Sequence, residues 1–432
     1  MRANRESATL VVHIGTAKTG STSIQNMLRS LRRPLAAAGI DVPAAGRIEN
    51  GSHHNLVCEF SAPLDYRPFL GGWDDLAAEL KHNGSSARRF VISAEGLSDP
   101  ANARQAIDRI TALAEEADLN VRVVAYIRPQ YLQIDSEYAQ TVKAGSCRLS
   151  FDTYLTAALD DPRYDLNALF GPWRDAFGDR MAVCPVEAAR MPGGVVPHFV
   201  DLLGAGDLTT AAARLPRLNQ RIGAKQLEVL RLFNVACGQE MLDRKTTRRL
   251  LADLSRRLPS VLVDDVPFSG LGSGKRRAVA ARFAEANARF ARVYGIDPGG
   301  ALFRETPPGD VRANRAGWRD LTAEERAAAA RLVRKMAGLD LFGTAERRGT
   351  TAETDPHARP PWPMPDTGDA LRRQGGKSRV RPTLRALIHR APDWLVRTIR
   401  TARSGRLEYA GARARDACTA PWRRLMGRTA HR

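Results

Sequence analysis

Between an apolar run, Thr9 to Ile14, and a helical pattern, Ser21 to Arg33, lies the segment His13-Ile-Gly-Thr-Ala-Lys-Thr-Gly-Ser-Thr-Ser23. The helical pattern sets Ile24, Met27, Leu28 and Leu31 at i, i+3, i+4 and i+7, so the three pieces read as strand, turn and helix. Gly15 and Gly20 let the backbone turn tightly and approach a ligand. Ser21, Thr22 and Ser23 start the helix and offer hydroxyls, and Lys18 adds a mobile positive charge. Successive backbone N–H groups and the positive helix end make such a loop a cradle for an anion, phosphate above all. The plainer alternative is a capped helix behind a glycine turn. The order is not that of a regular Walker A loop, which sets Lys directly after the second glycine and before Ser/Thr; here Lys18 precedes Gly20.

Strand and helix patterns go on alternating. Strands are predicted at Gly39 to Pro43, Phe90 to Ala94, Val121 to Ile127 and Met181 to Val186, and helices at Ala101 to Ala117, Gln130 to Ala144 and Val195 to Leu203. Such alternation implies an α/β fold of three layers, with a mainly parallel sheet covered on both faces. After about residue 205 only helices are read: Ala224 to Cys237, Lys245 to Leu258, Lys275 to Tyr294 and Thr322 to Met336. In the third, Val279, Phe283, Ala286, Phe290 and Val293 share a stripe. These helices are expected to pack beside the sheet and close over a ligand, or to form a helical subdomain. The resulting division is an α/β domain with its helical cap over residues 1–300, a further helical segment over 301–342, and a Pro- and Arg-rich linker and basic, weakly ordered tail over 343–432.

Charge makes that tail stand out. Lys and Arg number 17 against 3 Asp and Glu from Ala370 to Arg432, so +14 of the net +19 lies there. Leu384, Leu387, Ile388, Trp394, Leu395 and Ile399 alternate with arginines, which allows amphipathic helices on an anionic membrane; a solvated tail is the alternative. No apolar run approaches the roughly 18 residues a spanning helix needs. The first apolar run flows into the glycine turn without a cleavage site of small residues, so a cytoplasmic protein is expected, with the tail able to meet the inner membrane face. The five cysteines lie far apart with no CxxC pair, so neither a zinc site nor a disulfide framework is expected, and no metal cofactor.

A second segment carries chemistry: Val123-Val-Ala-Tyr-Ile-Arg-Pro-Gln-Tyr-Leu-Gln-Ile-Asp-Ser136. Arg128 closes a strand, and Ser136 follows on the next helix. A guanidinium offers paired donors to phosphate oxygens and a hydroxyl adds one more. Taken singly, Arg128 reads as a strand-end charge and Ser136 as an ordinary helical serine.

Lys18-Thr-Gly-Ser-Thr22 resembles the 5′-phosphosulfate loop of the sulfotransferase superfamily, Lys-x-Gly-Thr/Ser-Thr, and the Arg128 and Ser136 pair resembles its 3′-phosphate motif. The likeness is to the bacterial branch and runs over roughly residues 8 to 296, with looser echoes at Pro185-Val-Glu187, Val200 to Gly204 and Glu285 to Gly295. It implies a P-loop-like fold and transfer of a sulfonyl group from 3′-phosphoadenosine 5′-phosphosulfate (PAPS) to a hydroxyl or amine of a glycan or small alcohol. It also implies roles: Lys18 on the oxygen bridging phosphate and sulfonyl, Gly20, Ser21 and Thr22 on the 5′-phosphate with Thr16, Thr19 and Ser23 completing the loop, and Arg128 and Ser136 on the 3′-phosphate. The late Arg-Lys-Gly and Trp-Lys nucleotide loop of the cytosolic branch is absent. Gly270-Leu-Gly-Ser-Gly-Lys-Arg-Arg277 is either its replacement or, the preferred reading, a glycine turn with solvated charges. Asn287 falls on the apolar stripe and needs a partner if buried.

Sulfonyl transfer also needs a base for the acceptor proton. The superfamily places it after the second strand, where His53 and His54 stand in Gly-Ser-His-His-Asn, or at the end of the next strand, where Glu95 stands. Glu95 is preferred because its strand end lies at the ligand-binding edge of the sheet. Two other functions compete. A P-loop nucleotide kinase would show the glycine-lysine-serine order and a magnesium-holding Asp, and neither is evident. A non-enzymatic binder would use the basic tail on anionic membrane or, less favoured, on nucleic acid.

Overall fold

The computed structural model describes residues 8–83, 87–215, 221–297, 301–339 and 341. The linker and basic tail read over 343–432 lie outside the described residues. Five strands, β1 (Thr9–Gly15), β2 (Ile40–Asp41), β3 (Arg89–Ser93), β4 (Asn120–Ile127) and β5 (Met181–Pro185), form one sheet in the order β2-β3-β1-β4-β5, and every pairing is parallel. The runs read from sequence agree with these strands to within about two residues at each end.

The strands are apolar on both sides because both faces are covered, and alternate residues enter different cores. Leu10, Val12 and Ile14 of β1, with Val123, Ala125 and Ile127 of β4, face one core, while Val11, Val124 and Tyr126 face the other. Leaving β1, the chain forms α1 (Ser21–Ser30) and α2 (Arg32–Ala37) on the second face before reaching β2. The single helix expected over Ser21 to Arg33 therefore breaks at Leu31, one residue before α2 begins, because Pro34 has no N–H to give the carbonyl of Ser30. On the first face lie α3 (His54–Ser61), α4 (Trp73–Asn83) and α5 (Pro100–Ala117), the last crossing over β1 to β4.

From β4 the chain rises through α6 (Gln130–Lys143) and α7 (Phe151–Leu159), returns by α8 (Leu166–Phe177) to the first face, and after β5 adds α9 (Val195–Leu202) and α10 (Thr209–Ala213) to the second. A third core joins α6 and α7 with α11 (Ala224–Gln239), α12 (Arg244–Arg257), part of α13 (Ser273–Val293) and α14 (Ala323–Ala337). These helices make a cap. Helix α13 belongs to both parts: Val279 and Phe283 pack in the cap, and Phe290 and Ala291 under the sheet. Connections leave β1 and β3 toward opposite faces, so the carboxyl ends of these strands border the crevice where open α/β sheets bind ligands.

Candidate active site

The loop after β1 is held from several sides. The Thr16 N–H and hydroxyl both donate to the Tyr126 carbonyl, at 2.8 and 3.1 Å, tying the loop to the end of β4. Gln133 of α6 donates to the Ala17 carbonyl at 2.8 Å, and the Thr19 hydroxyl donates to the Thr16 carbonyl at 2.6 Å. Gly20, at φ 98°, precedes α1 with no side-chain cap, so the Ser21 and Thr22 amides keep their capacity for an outside acceptor, while the Ser23 N–H donates to the Gly20 carbonyl. Only part of the hydroxyl set expected for a ligand is free for one. Thr19 is turned into the loop, and the Ser21 hydroxyl reaches the Thr16 carbonyl at 3.2 Å and the Glu95 carboxyl. Thr22 is exposed and Ser23 half-buried.

Arg128 and Ser136, eight residues apart, come together at this loop. One guanidinium nitrogen of Arg128 donates to the Lys18 carbonyl at 2.9 Å and to the Ser136 hydroxyl at 3.2 Å. Burial lowers the Arg128 pKa to about 10, which still leaves it charged at neutral pH. Its remaining N–H donors are those that would face an anion.

Glu95 stands two residues past the end of β3 and abuts the loop: a Cβ added to Gly15, whose φ is 96°, would lie 2.9 Å from the Glu95 Cβ. Burial raises the Glu95 pKa, opposed by the Ser21 hydrogen bond and the charge of Lys18. The Lys18 side chain is exposed, and its ammonium donates to Gln140 Oε1 of α6 at 3.2 Å. Desolvation lowers its pKa, helped by the charges of Lys143 and Arg128 and opposed by Glu95. A carboxylate and an ammonium thus stand within electrostatic reach of each other beyond the carboxyl ends of β3 and β1.

The two histidines part company, and neither sits in the solvent-facing loop that was the alternative to a base. His53 is fully buried: its Nε2 is 3.1 Å from the Pro43 carbonyl, its Nδ1 accepts from the Ser93 N–H at 3.1 Å, and burial lowers its pKa to about 4. It braces β3 and has no path to an acceptor. His54 begins α3 half-buried, with its Cε1 3.5 Å from where a Cβ on Gly96 would be, at the rim beside Glu95.

Other singled-out segments prove to be packing. Asn287 exchanges two hydrogen bonds with Gln130, at 2.8 and 3.0 Å, joining α13 to α6. Glu187 accepts from Arg190 and from the Glu305 N–H. In the Gly270 segment the Gly270 N–H donates to Asp135 at 2.7 Å, and Lys275 is paired with Asp152 at 2.8 Å. Sequence reasoning missed Gln133, Gln140 and Lys143, although all three lie on the helix face that carries Ser136. It also missed buried Glu137, which accepts from Tyr164 at 2.6 Å and from Gln133. Of these, Gln133 and Glu137 line a small cleft that reaches from Thr16 and Ala17 past Arg128 to Tyr164. Among the described residues no group of three or more His, Cys, Asp or Glu could hold a metal ion. Comparison with protein-family models, with curated proteins and with solved structures finds no match.

Proposed function

We propose that the chain is a PAPS-dependent sulfotransferase of P-loop-like fold acting on a hydroxyl-bearing acceptor. The observation that carries the reading is the three-way contact of Arg128 with the Lys18 carbonyl and the Ser136 hydroxyl. It joins two anion-binding elements 110 residues apart in sequence, one suited to each phosphate of an adenosine bisphosphate. The crevice at the carboxyl ends of the strands, with α1 pointing its open amides into it, gives the donor a natural seat.

The bound donor supplies an activated sulfonyl group. Lys18 neutralises charge on the bridging oxygen as the sulfur–oxygen bond breaks, and the α1 amides hold the 5′-phosphate. Glu95 takes the acceptor proton as the new sulfur–oxygen bond forms, and burial makes it a stronger base than an ordinary carboxylate. Arg128 and Ser136 fix the other end of the donor and so its line of attack. The test is calorimetric titration with 3′-phosphoadenosine 5′-phosphate and with ATP. The bisphosphate is expected to bind without magnesium and more tightly than ATP; magnesium-dependent ATP binding with no affinity for the bisphosphate would overturn the reading in favour of a kinase.

A further inference from the structure

Around Lys18 and Glu95, contacts link the loop to α6, α6 to the start of α12, and α3 to the segment that carries Glu95. Lys18 reaches Gln140, and Lys143 stands on the same face of α6 close to one turn further on. Just past α6, a Cβ on Gly145 would lie 3.3 Å from the Thr247 side chain and 2.8 Å from Leu251, so α12 begins its contact there. Arg248, the next residue, projects far enough for its charge to weigh against protonation of His54. His54 lies against Gly96, the residue after Glu95.

Along these contacts the charge is lopsided. Lys18, Lys143 and Arg248 are exposed cations, and among the described residues neither Lys143 nor Arg248 is paired with a carboxylate. The acids are Glu95, assigned to proton transfer, Asp65, whose charge also reaches His54, and buried Glu137, whose charge reaches Lys18 while its carboxylate accepts from Tyr164 and Gln133. Lys143 lies close enough to Lys18 to lower its pKa, and the side chain that meets the Lys18 ammonium is the neutral amide of Gln140 rather than a carboxylate. Packing gives no reason to gather these cations, and a bound anion would.

Resting on the sulfotransferase reading, we infer that the acceptor is itself anionic, a hydroxyl compound of the acidic-sugar class, held by Lys143 and Arg248 while Glu95 takes its proton. Two such cations would orient an acidic acceptor and raise its local concentration, and they would give a neutral one no such hold.

The test uses the full chain at about 0.15 M salt, where the Debye length is about 8 Å and the basic tail attracts less. The probes are a fluorescent glucuronate hexasaccharide and its carboxyl-reduced, neutral counterpart. Wild-type protein is expected to bind the acidic probe at least tenfold tighter, and radiolabelled sulfonyl transfer is expected to follow the same order. K143Q/R248Q should erase the preference and K143R/R248K should keep it. R33Q/R257Q, which removes two exposed charges elsewhere, should also keep it. Equal binding of both probes by wild type, or full preference in K143Q/R248Q, would overturn the inference even if the donor binds. If the acidic preference and its loss in K143Q/R248Q hold while 3′-phosphoadenosine 5′-phosphate fails to bind, the acceptor inference stands and the donor reading falls.

Discussion

Replacing Arg128 by alanine tests the donor site most directly, because the structure gives the side chain two separable jobs. It supports the loop through the Lys18 carbonyl at 2.9 Å, and it holds the Ser136 hydroxyl at 3.2 Å beside its remaining donors. A hydrogen bond from a charged group contributes about 1.5–3 kcal/mol. Loss of the 3′-phosphate contact should therefore weaken binding of 3′-phosphoadenosine 5′-phosphate by about one to two orders of magnitude. Lysine restores the charge without the two-pronged geometry, so Arg128→Lys should recover only part of the loss. Calorimetry on a second ligand, adenosine 5′-phosphosulfate without the 3′-phosphate, completes a double-perturbation cycle. Its affinity should change little in Arg128→Ala, because the group that Arg128 serves is already missing. Equal weakening of both ligands would mean that Arg128 acts only by propping the loop, and no weakening of either would refute the site.

Glu95→Gln should lower turnover about a hundredfold or more while leaving bisphosphate affinity nearly unchanged. In the wild type, raised Glu95 must be unprotonated and lowered Lys18 protonated, so the acid limb of the turnover profile should lie above pH 4.5 and the alkaline limb below pH 10.5; limbs outside those bounds would contradict the assignments. Gly20→Ala places a Cβ 2.5 Å from Val195 Cγ2 at φ 98°, which should cost about 2–4 kcal/mol from steric strain and overpacking together; an unchanged denaturation midpoint would refute this. His53→Ala should destabilise by about 2–5 kcal/mol by stranding the Pro43 carbonyl and Ser93 N–H, yet spare turnover of the folded fraction. Because folding lowers the His53 pKa from 6.5 to about 4, the unfolded chain takes up its proton first, and wild-type stability should fall with pH across that window. His53→Ala should fall less steeply, and lost turnover in folded variant would return His53 to the role of base.

The loop and all five strands were legible because each rests on local pattern, an apolar run or a glycine turn, whereas the partnership of Arg128, at a strand end, with Ser136, on the next helix, was legible only through its resemblance to a known 3′-phosphate motif. Glu95 was legible as a strand-end carboxylate, but its contact with the Gly15 backbone comes from two neighbouring strands and has no sequence signature. The histidine pair shows the limit plainly. A polar Gly-Ser-His-His-Asn run reads as exposed, yet Ser93 and Pro43 supply buried partners for His53 from distant chain positions. Helix α8 hides behind Pro172 within its own length, whereas α7 carries Phe151, Tyr154, Leu155 and Ala158 in helical register behind the capping Ser150. The cationic border joins α6 to α12, a proximity set by the cap core, which no single-segment pattern contains.

Helix α13 has a mechanical meaning. Its 21 residues span about 30 Å, with Phe283 anchored in one core and Phe290 in the other. The reciprocal amide pair of Asn287 and Gln130 lies between these anchors and rivets the helix to the foot of α6. Drawing Phe290 out of its seat would forfeit on the order of the 3–5 kcal/mol that a large-to-small core change costs, so the cap cannot swing away as an independent flap. What remains is a rocking motion about the rivet. Gln130 sits at the fulcrum, and Lys143, at the far end of α6, travels on the outer arc together with the neighbouring start of α12. A small tilt at the axle would therefore appear as the largest displacement at the rim that carries Lys143 and Arg248.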